Sequence, residues 1–324
     1  MEFQHYIGID WSMNNVAIAR HTLKSKKATV TEFDDSNIYN VKRYLKQLKG
    51  TKIVSLEEST ASQWLYTELK PHCDDLIVCN PYYNHLLKYG PKNDRVDAEK
   101  IALLLRIGHL RPVYHSGEDF IYLRKLTSGY EDLIKATVRS KNQLSSLHRA
   151  FNNTELDESS TFVAEGLERT IELYSKEKDR YLERFQSIRD KYPQIALLEG
   201  VPGIGMINAV KAMATIVDIK RFSSSAHFIS YCGLLRHELI SGGKSYGRRK
   251  PRANTTMKSI FKQATMVNII KGDLKSPFSR YYNYLIKEKN YPEFKARHAT
   301  ARKIAKIVYG VLKNEKKVDL RNMH

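Results

Sequence analysis

The fold of the first region is decided by the stretch His5-Tyr6-Ile7-Gly8-Ile9-Asp10, a run of β-forming residues that ends in an acid. Similar runs, bounded by polar turn residues, follow at 16–19, 28–33, 52–57 and 76–79. Apolar residues at helical spacing lie between them at 40–48 and 61–70. Three strands followed by alternating helices and strands predict an α/β domain of the ribonuclease-H-like class over residues 1–115.

After the last of these strands, the spacing of apolar residues becomes helical. Two long helices are predicted at 118–150 and 162–190, with the acidic stretch 152–160 as the turn between them and Pro193 as the end. The second helix carries an apolar stripe among charged residues, and such a stripe needs an apolar partner, either a hairpin mate or another protomer. Residues 116–195 are therefore predicted to be a helical linking region, whose stripe packs within such a hairpin or in oligomerisation.

Charge is distributed unevenly along the 324 residues. The chain has 54 Lys and Arg against 35 Asp and Glu, a net charge of +19, and residues 199–324 contribute 25 and 8 of these. A basic region attached to near-neutral ones favours binding of a polyanion, most often nucleic acid. Residues 196–324 are predicted to form a basic, mainly helical domain.

The cysteines and the hydropathy exclude other classes of protein. The three cysteines form no CxxC pair, so neither a disulfide framework nor a zinc knuckle is expected. No apolar run approaches the roughly 20 residues that span a bilayer, and the first residues lack a signal-peptide pattern. We expect a protein of the bacterial cytoplasm, associated with the nucleoid and not with a membrane.

Four acids are candidate metal ligands: Asp10, Glu57, Asp94 and Asp97. The first two end strands, and the other two are three residues apart, so that they project from one face of a helix. Carboxylates held close together repel each other unless cations compensate, and their hard oxygens suit Mg²⁺ or Mn²⁺. Two such ions can clamp the attacking and leaving oxygens of a phosphodiester. Glu58 is an alternative to Glu57, and each acid alone also fits a solvated strand end or a helix cap.

The basic region begins with a glycine-rich turn, Pro202-Gly203-Ile204-Gly205, before a helix predicted at 207–217. This arrangement resembles a helix-hairpin-helix, in which backbone N–H groups of the turn and of the next helix approach a phosphate. Gly203 and Gly205 are therefore candidates for nucleic-acid binding. A purely structural tight turn explains the same residues.

A glycine-rich and strongly basic stretch at 240–252 is predicted to be a loop that lies along a nucleic-acid backbone. The side-chain candidates for phosphate binding are Lys92, beside the acids, and Lys244, Arg248, Arg249, Lys250, Arg252 and Lys258. The stretch also offers Ser241 and Ser245 as hydroxyl nucleophiles. A serine needs a base, a metal or positively charged surroundings to react, and this stretch supplies the cations.

Several short motifs follow one another in a familiar order over nearly the whole chain. They are Tyr6–Asp10, Leu56-Glu57, Asn80-Pro81, Lys92–Ala98, Pro202–Gly205, Phe222, Tyr231–Leu234, Ser241-Gly242 and Ala305–Leu312. With these motifs the sequence resembles the DEDD transposases of insertion sequences whose recombinases are guided by a bridge RNA. The pilin-gene invertase belongs to the same family.

The resemblance implies a RuvC-like domain over 1–115, a helical linking region over 116–195 and a transposase domain over 196–324. It further implies that the four acids bind Mg²⁺ and that Ser241 attacks DNA and becomes covalently joined to it. Recombination then passes through a Holliday junction, and the RuvC-like domain of one protomer meets the transposase domain of another. The implied partners are donor and target DNA, a structured guide RNA, and further copies of the chain in a dimer or tetramer.

The chain departs from the family pattern at two places. Arg236 stands where a proline is usual, and Pro251-Arg252-Ala253 stands where a Lys-x-Gly pattern is usual.

The residues leave two other functions open. One is a metal-dependent nuclease or junction resolvase of ribonuclease-H-like fold that uses water as its nucleophile, and the other is a nucleic-acid-binding relative without catalysis.

Overall fold

A computed structural model describes residues 2–80, 93–114, 118–152, 154–249, 252–270 and 276–318. By its internal contacts the chain divides into two compact units, residues 1–121 and 122–324. The first unit is a mixed α/β sheet with helices, and the second is mainly helical. The finer division into three regions, at 115 and 195, stays a prediction.

The first unit contains a six-stranded sheet in the order β3-β2-β1-β4-β5-β6. Strands β1 to β3 form an antiparallel meander, β4 and β5 continue parallel to β1, and β6 is antiparallel at the edge. This arrangement is consistent with a ribonuclease-H-like fold. The elements are β1 His5–Trp11, β2 Val16–His21, β3 Thr29–Phe33, α1 Ile38–Gln47, β4 Lys52–Glu57, α2 Ser62–Leu69, β5 Asp75–Cys79, α3 Asp94–Arg106 and β6 Pro112–Val113.

The two faces of this sheet are covered by different helices. On one face, the fully buried Ile7 and Ile9 pack in a core with apolar residues of α1 and α2. On the other face, Gly8 lies under α3: a Cβ atom at this position would be 2.5 Å from the backbone nitrogen of Ala102. Because only glycine permits such an approach, α3 rests directly on β1.

The second unit begins with two long helices, of which α5 starts four residues before its predicted start at 162. Asp157 lies in the stretch predicted to be a turn, and its carboxylate accepts the backbone N–H of Ser160 at 2.7 Å, which caps α5 there. The elements of this part are α4 Glu118–Ala150, α5 Glu158–Lys191, α6 Pro193–Glu199, α7 Met206–Ile216, α8 Ser225–Tyr231, β7 His237–Ser241, β8 Lys244–Arg249, α9 Thr255–Ile270, α10 Pro277–Lys287 and α11 Glu293–Asn314.

The apolar stripe of α5 finds a partner over only part of its length. Phe185 is fully buried, and its ring packs edge-on against Tyr130 of α4 with 5.2 Å between centroids. Near the start of α5, by contrast, Phe162 is 74% exposed, and Leu173 is also exposed. Leu167 of the stripe, which lies between them in sequence, is half-buried, so the stripe is covered most fully at its C-terminal end and Phe162 stays exposed.

The stretch 240–252, predicted to be a loop, lies largely in a β-hairpin formed by β7 and β8. Gly242 and Gly243 have φ angles of 54° and 75°, which is the conformation that a two-residue hairpin turn of type I′ requires. Every residue of β8 is exposed. Among the residues that the structure describes, no helix is long and apolar enough to cross a membrane.

Candidate active site and nucleic-acid interface

Asp10 and Glu57 lie side by side at the carboxyl ends of two neighbouring parallel strands. Ile9 of β1 is paired with Leu56 of β4, and the two acids are the next residues along these strands. Since side chains alternate between the faces of a sheet, both acids share the face that carries Gly8, which is the face covered by α3. Both are partly exposed.

The start of α3 carries the other two acids. The side chain of Asn93 caps this helix by accepting the backbone N–H of Val96 at 2.8 Å, which places Asp94 and Asp97 in the first turn. Carboxylates there are stabilised by the positive end of the helix dipole. The sequence predicts helical structure from about Asp94 by its apolar spacing, and the cap at Asn93 is a finding of the structure.

The direction of α3 brings its first turn toward Asp10. Ala98 and Ala102 lie against Gly8, and Leu105, further along the helix, packs with Tyr6, which comes earlier in β1. The helix therefore runs antiparallel to β1. Its N-terminal acids consequently lie toward the end of the sheet at which Asp10 and Glu57 are found.

The neighbours of Glu57 distinguish it from Glu58. Glu57 pairs across the sheet with Cys79, and burial of this thiol, followed by the negative charge of Glu57, raises the Cys79 pKa to about 12. Glu58 is exposed, and its carboxylate accepts a hydrogen bond from the amide of Asn80 at 3.1 Å. Glu57 is thus the residue whose side chain shares a face with Asp10.

The four acids share one end of one sheet face, but they do not form a closed ligand set. Asp97 is paired with Lys100, whose Nζ lies 3.1 Å from its carboxylate oxygen. Within the described ranges, no group of three or more His, Cys, Asp or Glu side chains is arranged to hold a metal ion. The chemistry of the donors, four carboxylates, nevertheless fits Mg²⁺.

Ser241 is the last residue of β7 and lies opposite Lys244 across the hairpin turn. The residue is exposed, and no hydrogen bond to its hydroxyl is present in the part of the chain that the structure describes. Arg248 and Arg249 lie further along β8 and are also exposed. The hairpin therefore presents a serine hydroxyl among cations on a projecting strand pair. Ser245 lies opposite Ile240 on the same hairpin.

The glycine-rich turn joins α6 to α7, and its two candidate glycines have different surroundings. Gly203 has a φ of 90°, and a Cβ atom there would be 2.5 Å from the carbonyl oxygen of Ala264 in α9. Asn268 of α9 secures the turn by donating to the carbonyl oxygen of Pro202 at 2.8 Å. Gly203 is thus required by packing, whereas Gly205 is exposed at the start of α7.

Two sequence models of protein families match the chain. A transposase model, that of the DEDD transposases of the IS110 group, matches residues 7–152, and the model of the transposase IS116/IS110/IS902 family matches residues 195–283. The chain is an IS110-family DEDD transposase. The first match contains all four candidate acids, and the second contains the glycine-rich turn and Ser241. A search of curated proteins finds no match.

Membership of this family makes the protein a DNA transposase, an enzyme of recombination with DNA as its partner. It also implies dependence on a divalent metal, typically Mg²⁺. Two further candidates, Lys92 and Lys250, lie outside the described residues. Arg252 is exposed just after the hairpin.

The transposase also has a basic cleft in its second unit that the sequence analysis did not predict as one site. The cleft measures about 540 Å³, and among the described residues Arg248 and Lys258 are the earlier candidates that line it. Its lining residues are Gly233, Leu234, Leu235, Arg236, Arg248, Ala253, Lys258, Lys262, Tyr291, Phe294, Lys295, His298 and Arg302.

The helical spacing of the cleft residues is the sequence signal from which part of the cleft could have been predicted. Lys258 and Lys262 are four residues apart on α9, and Phe294, His298 and Arg302 are four apart on α11, so each set lies on one helix face. The spacing does not reveal that these two faces meet. Arg236 and Ala253, the two departures from the family pattern, line the same cleft.

Proposed function

We propose that this transposase is an RNA-guided DNA recombinase that cuts and rejoins strands through a covalent bond between Ser241 and DNA. The observation that carries the proposal is the position of α3 on Gly8, which directs Asp94 and Asp97 toward the end of the sheet that bears Asp10 and Glu57. Four acids at one edge are the set that a metal-dependent phosphoryl transfer needs.

The four carboxylates of Asp10, Glu57, Asp94 and Asp97 would hold Mg²⁺. Bound there, Mg²⁺ supplies positive charge that stabilises the scissile phosphate as negative charge develops on it. Lys100 offsets part of the acidic charge through its pair with Asp97. In this proposal, metal binding replaces that ion pair.

Ser241 attacks the phosphorus atom. A bond forms between its Oγ and phosphorus, the bond from phosphorus to a deoxyribose oxygen breaks, and the hydroxyl proton passes to that leaving oxygen. The phosphodiester is conserved in the Ser241–DNA linkage, so the released strand end can be rejoined to a different strand. The exposure of Ser241 at the tip of a hairpin supports this role, because a DNA backbone can reach it.

Cations around the serine position the DNA. Lys244 faces Ser241 across the turn, and Arg248 follows on the exposed strand. Such contacts to phosphates fix the register of a strand without reading its bases. Sequence choice is then left to base pairing with a guide RNA, for which the basic charge of residues 199–324 provides a binding surface.

The finer architecture belongs to the same proposal. The first unit acts as a RuvC-like domain, the turn before α7 acts as a helix-hairpin-helix, and exchange of two strand pairs passes through a Holliday junction. The exposed apolar residues Phe162 and Leu173 on α5 support assembly with another protomer, because a second copy would cover them.

The test is the formation of a covalent adduct between the protein, loaded with its guide RNA, and a labelled donor DNA in Mg²⁺, detected by denaturing gel. Wild-type protein should form the adduct, Ser241→Ala should abolish it, and Ser245→Ala, the matched serine on the same hairpin, should retain it. If no adduct forms while Asp10→Asn still abolishes cleavage, water is the nucleophile and the protein is a nuclease or resolvase. If neither substitution changes any DNA processing, the protein is a non-catalytic binder.

A further inference from the structure

The basic cleft carries a concentration of positive charge that the described residues do not neutralise. Six of its lining residues are Lys or Arg, and no Asp or Glu of the described ranges lines it. None of these six takes part in an ion pair within the part of the chain that the structure describes. Like charges at close range repel one another, so the cleft gains stability when an anion enters it.

His298 lies among these cations and is affected by them. Desolvation, followed by the positive charges of Arg302, Lys262, Lys258 and Arg236, lowers the pKa of His298. The imidazole is therefore neutral at pH 7 and accepts or donates hydrogen bonds in a strongly positive environment. A ligand of high negative charge density, such as a phosphate chain, fits these surroundings.

Two aromatic rings at the cleft add a second kind of recognition. Phe294 is 63% exposed and Tyr291 is 43% exposed, so both rings offer a face to a ligand. Nucleic-acid bases stack on such rings whatever their sequence, but only when they are unpaired and released from their neighbours. Cations beside exposed aromatic rings are the combination that binds single strands.

We infer that the basic cleft binds an unpaired stretch of nucleic acid, with its phosphates on Lys262, Lys295 and Arg302 and an unstacked base against Phe294 or Tyr291. The volume of about 540 Å³ lies in the range that encloses a small ligand, so it suits a nucleotide or two of a single strand. The inference rests on the proposed function, because strand exchange and an RNA guide both present unpaired strands.

The first experiment measures binding of the full chain to fluorescent single-stranded DNA, single-stranded RNA and duplex DNA of equal length, in EDTA. Phe294→Leu should weaken binding to one or both single strands by about fivefold or more, the lower end for loss of base stacking. It should leave duplex binding unchanged. The control Tyr39→Leu, which changes an exposed aromatic residue on α1 outside the cleft, should alter neither.

Comparison of single-stranded DNA with single-stranded RNA identifies the ligand, since the strand whose affinity falls more in Phe294→Leu is the one that the cleft binds. Equal loss on single strands and duplex, or a change below twofold on both single strands, in both Phe294→Leu and Tyr291→Leu would overturn the inference. Circular dichroism checks that Phe294→Leu is folded, and Tyr291→Leu is a second variant with the same expected selectivity.

The second experiment tests the phosphate contacts. Lys262→Gln should reduce the slope of log affinity against log salt by about 0.7 for single strands, which is one phosphate contact. Lys178→Gln, at an exposed lysine of α5 outside the cleft, should leave the slope unchanged. An unchanged slope for Lys262→Gln would contradict the assignment.

Neither experiment requires chemistry at Ser241, and both can be run in the Ser241→Ala background. If no Ser241–DNA adduct forms, the binding measurements on the cleft variants therefore still test the inference. Failure of the cleft variants would in turn leave adduct formation by the wild-type protein unaffected.

Discussion

Substitution of Gly8 by alanine tests whether α3 must rest directly on β1. A Cβ atom at position 8 would be 2.5 Å from the backbone nitrogen of Ala102, and ordinary contact begins at 3.4 Å, so the helix must move by about 0.9 Å. The obstacle is backbone, which no side-chain rotation relieves. Such overpacking costs typically about 1–3 kcal/mol.

The displacement also acts on the acids. Asp94 and Asp97 begin the helix that Gly8→Ala displaces, and a misplacement of about 1 Å in a catalytic arrangement can cost on the order of 10²-fold in rate. We therefore expect the unfolding free energy, measured by urea denaturation, to fall by about 1–3 kcal/mol. DNA cleavage by the still-folded variant should fall on the order of 10²-fold.

The matched control is Gly166→Ala, at a helical glycine of α5 where no atom of the described residues lies within 4 Å of an added Cβ. This change should stabilise the protein by about 0.5–1 kcal/mol and leave cleavage unchanged. The reasoning is refuted if Gly8→Ala has the urea midpoint and the cleavage rate of the wild-type protein.

Three further predictions concern other parts of the molecule. Asn268→Leu removes two hydrogen bonds that a buried amide donates to carbonyl oxygens, so the unfolding free energy measured by urea denaturation should fall by about 1–3 kcal/mol. Asn208→Leu, at an exposed amide, should change this free energy little. Burial raises the pKa of the Cys79 and Cys232 thiols, so both should resist alkylation at pH 8 until the protein unfolds. Mass spectrometry of the alkylated peptides measures this, and rapid labelling of either cysteine in the folded protein would contradict it. A hydrogen bond from the backbone N–H of Ser160 at the start of α5 lowers the pKa of Asp157, so this cap stabilises the helix above the pKa of the unfolded state and is lost as pH falls through the pKa of the folded state. As pH falls through that range, hydrogen exchange at the start of α5 should become faster relative to that of the unfolded peptide. Asp157→Ala should remove this pH dependence.

The sequence predicts the first unit closely because its signals are local. β1 and β4 each combine a run of apolar residues with a terminal acid, and the predicted ends differ from the observed strands by at most a residue. The start of α3 is equally clear, since helical spacing of apolar residues begins near Asp94, where the structure has the helix begin. Parallel pairing then places the acids at one edge.

The sequence predicts the second unit less well because its features depend on packing between distant segments. The basic stretch reads as a loop by composition, but the left-handed conformation of Gly242 and Gly243 turns it into a hairpin. The basic cleft joins residues of α9 and α11 with Arg236, and no local pattern shows that these segments meet.

Mass spectrometry of the protein–DNA linkage tests the central claim most directly. Wild-type protein loaded with its guide RNA is incubated with donor DNA in Mg²⁺ or in EDTA, digested with nuclease and protease, and searched for a peptide that retains a deoxynucleotide. The account predicts a nucleotide on Ser241 in Mg²⁺ and none in EDTA. A nucleotide on another residue, a linkage that forms without metal, or cleavage with no linked peptide would contradict it.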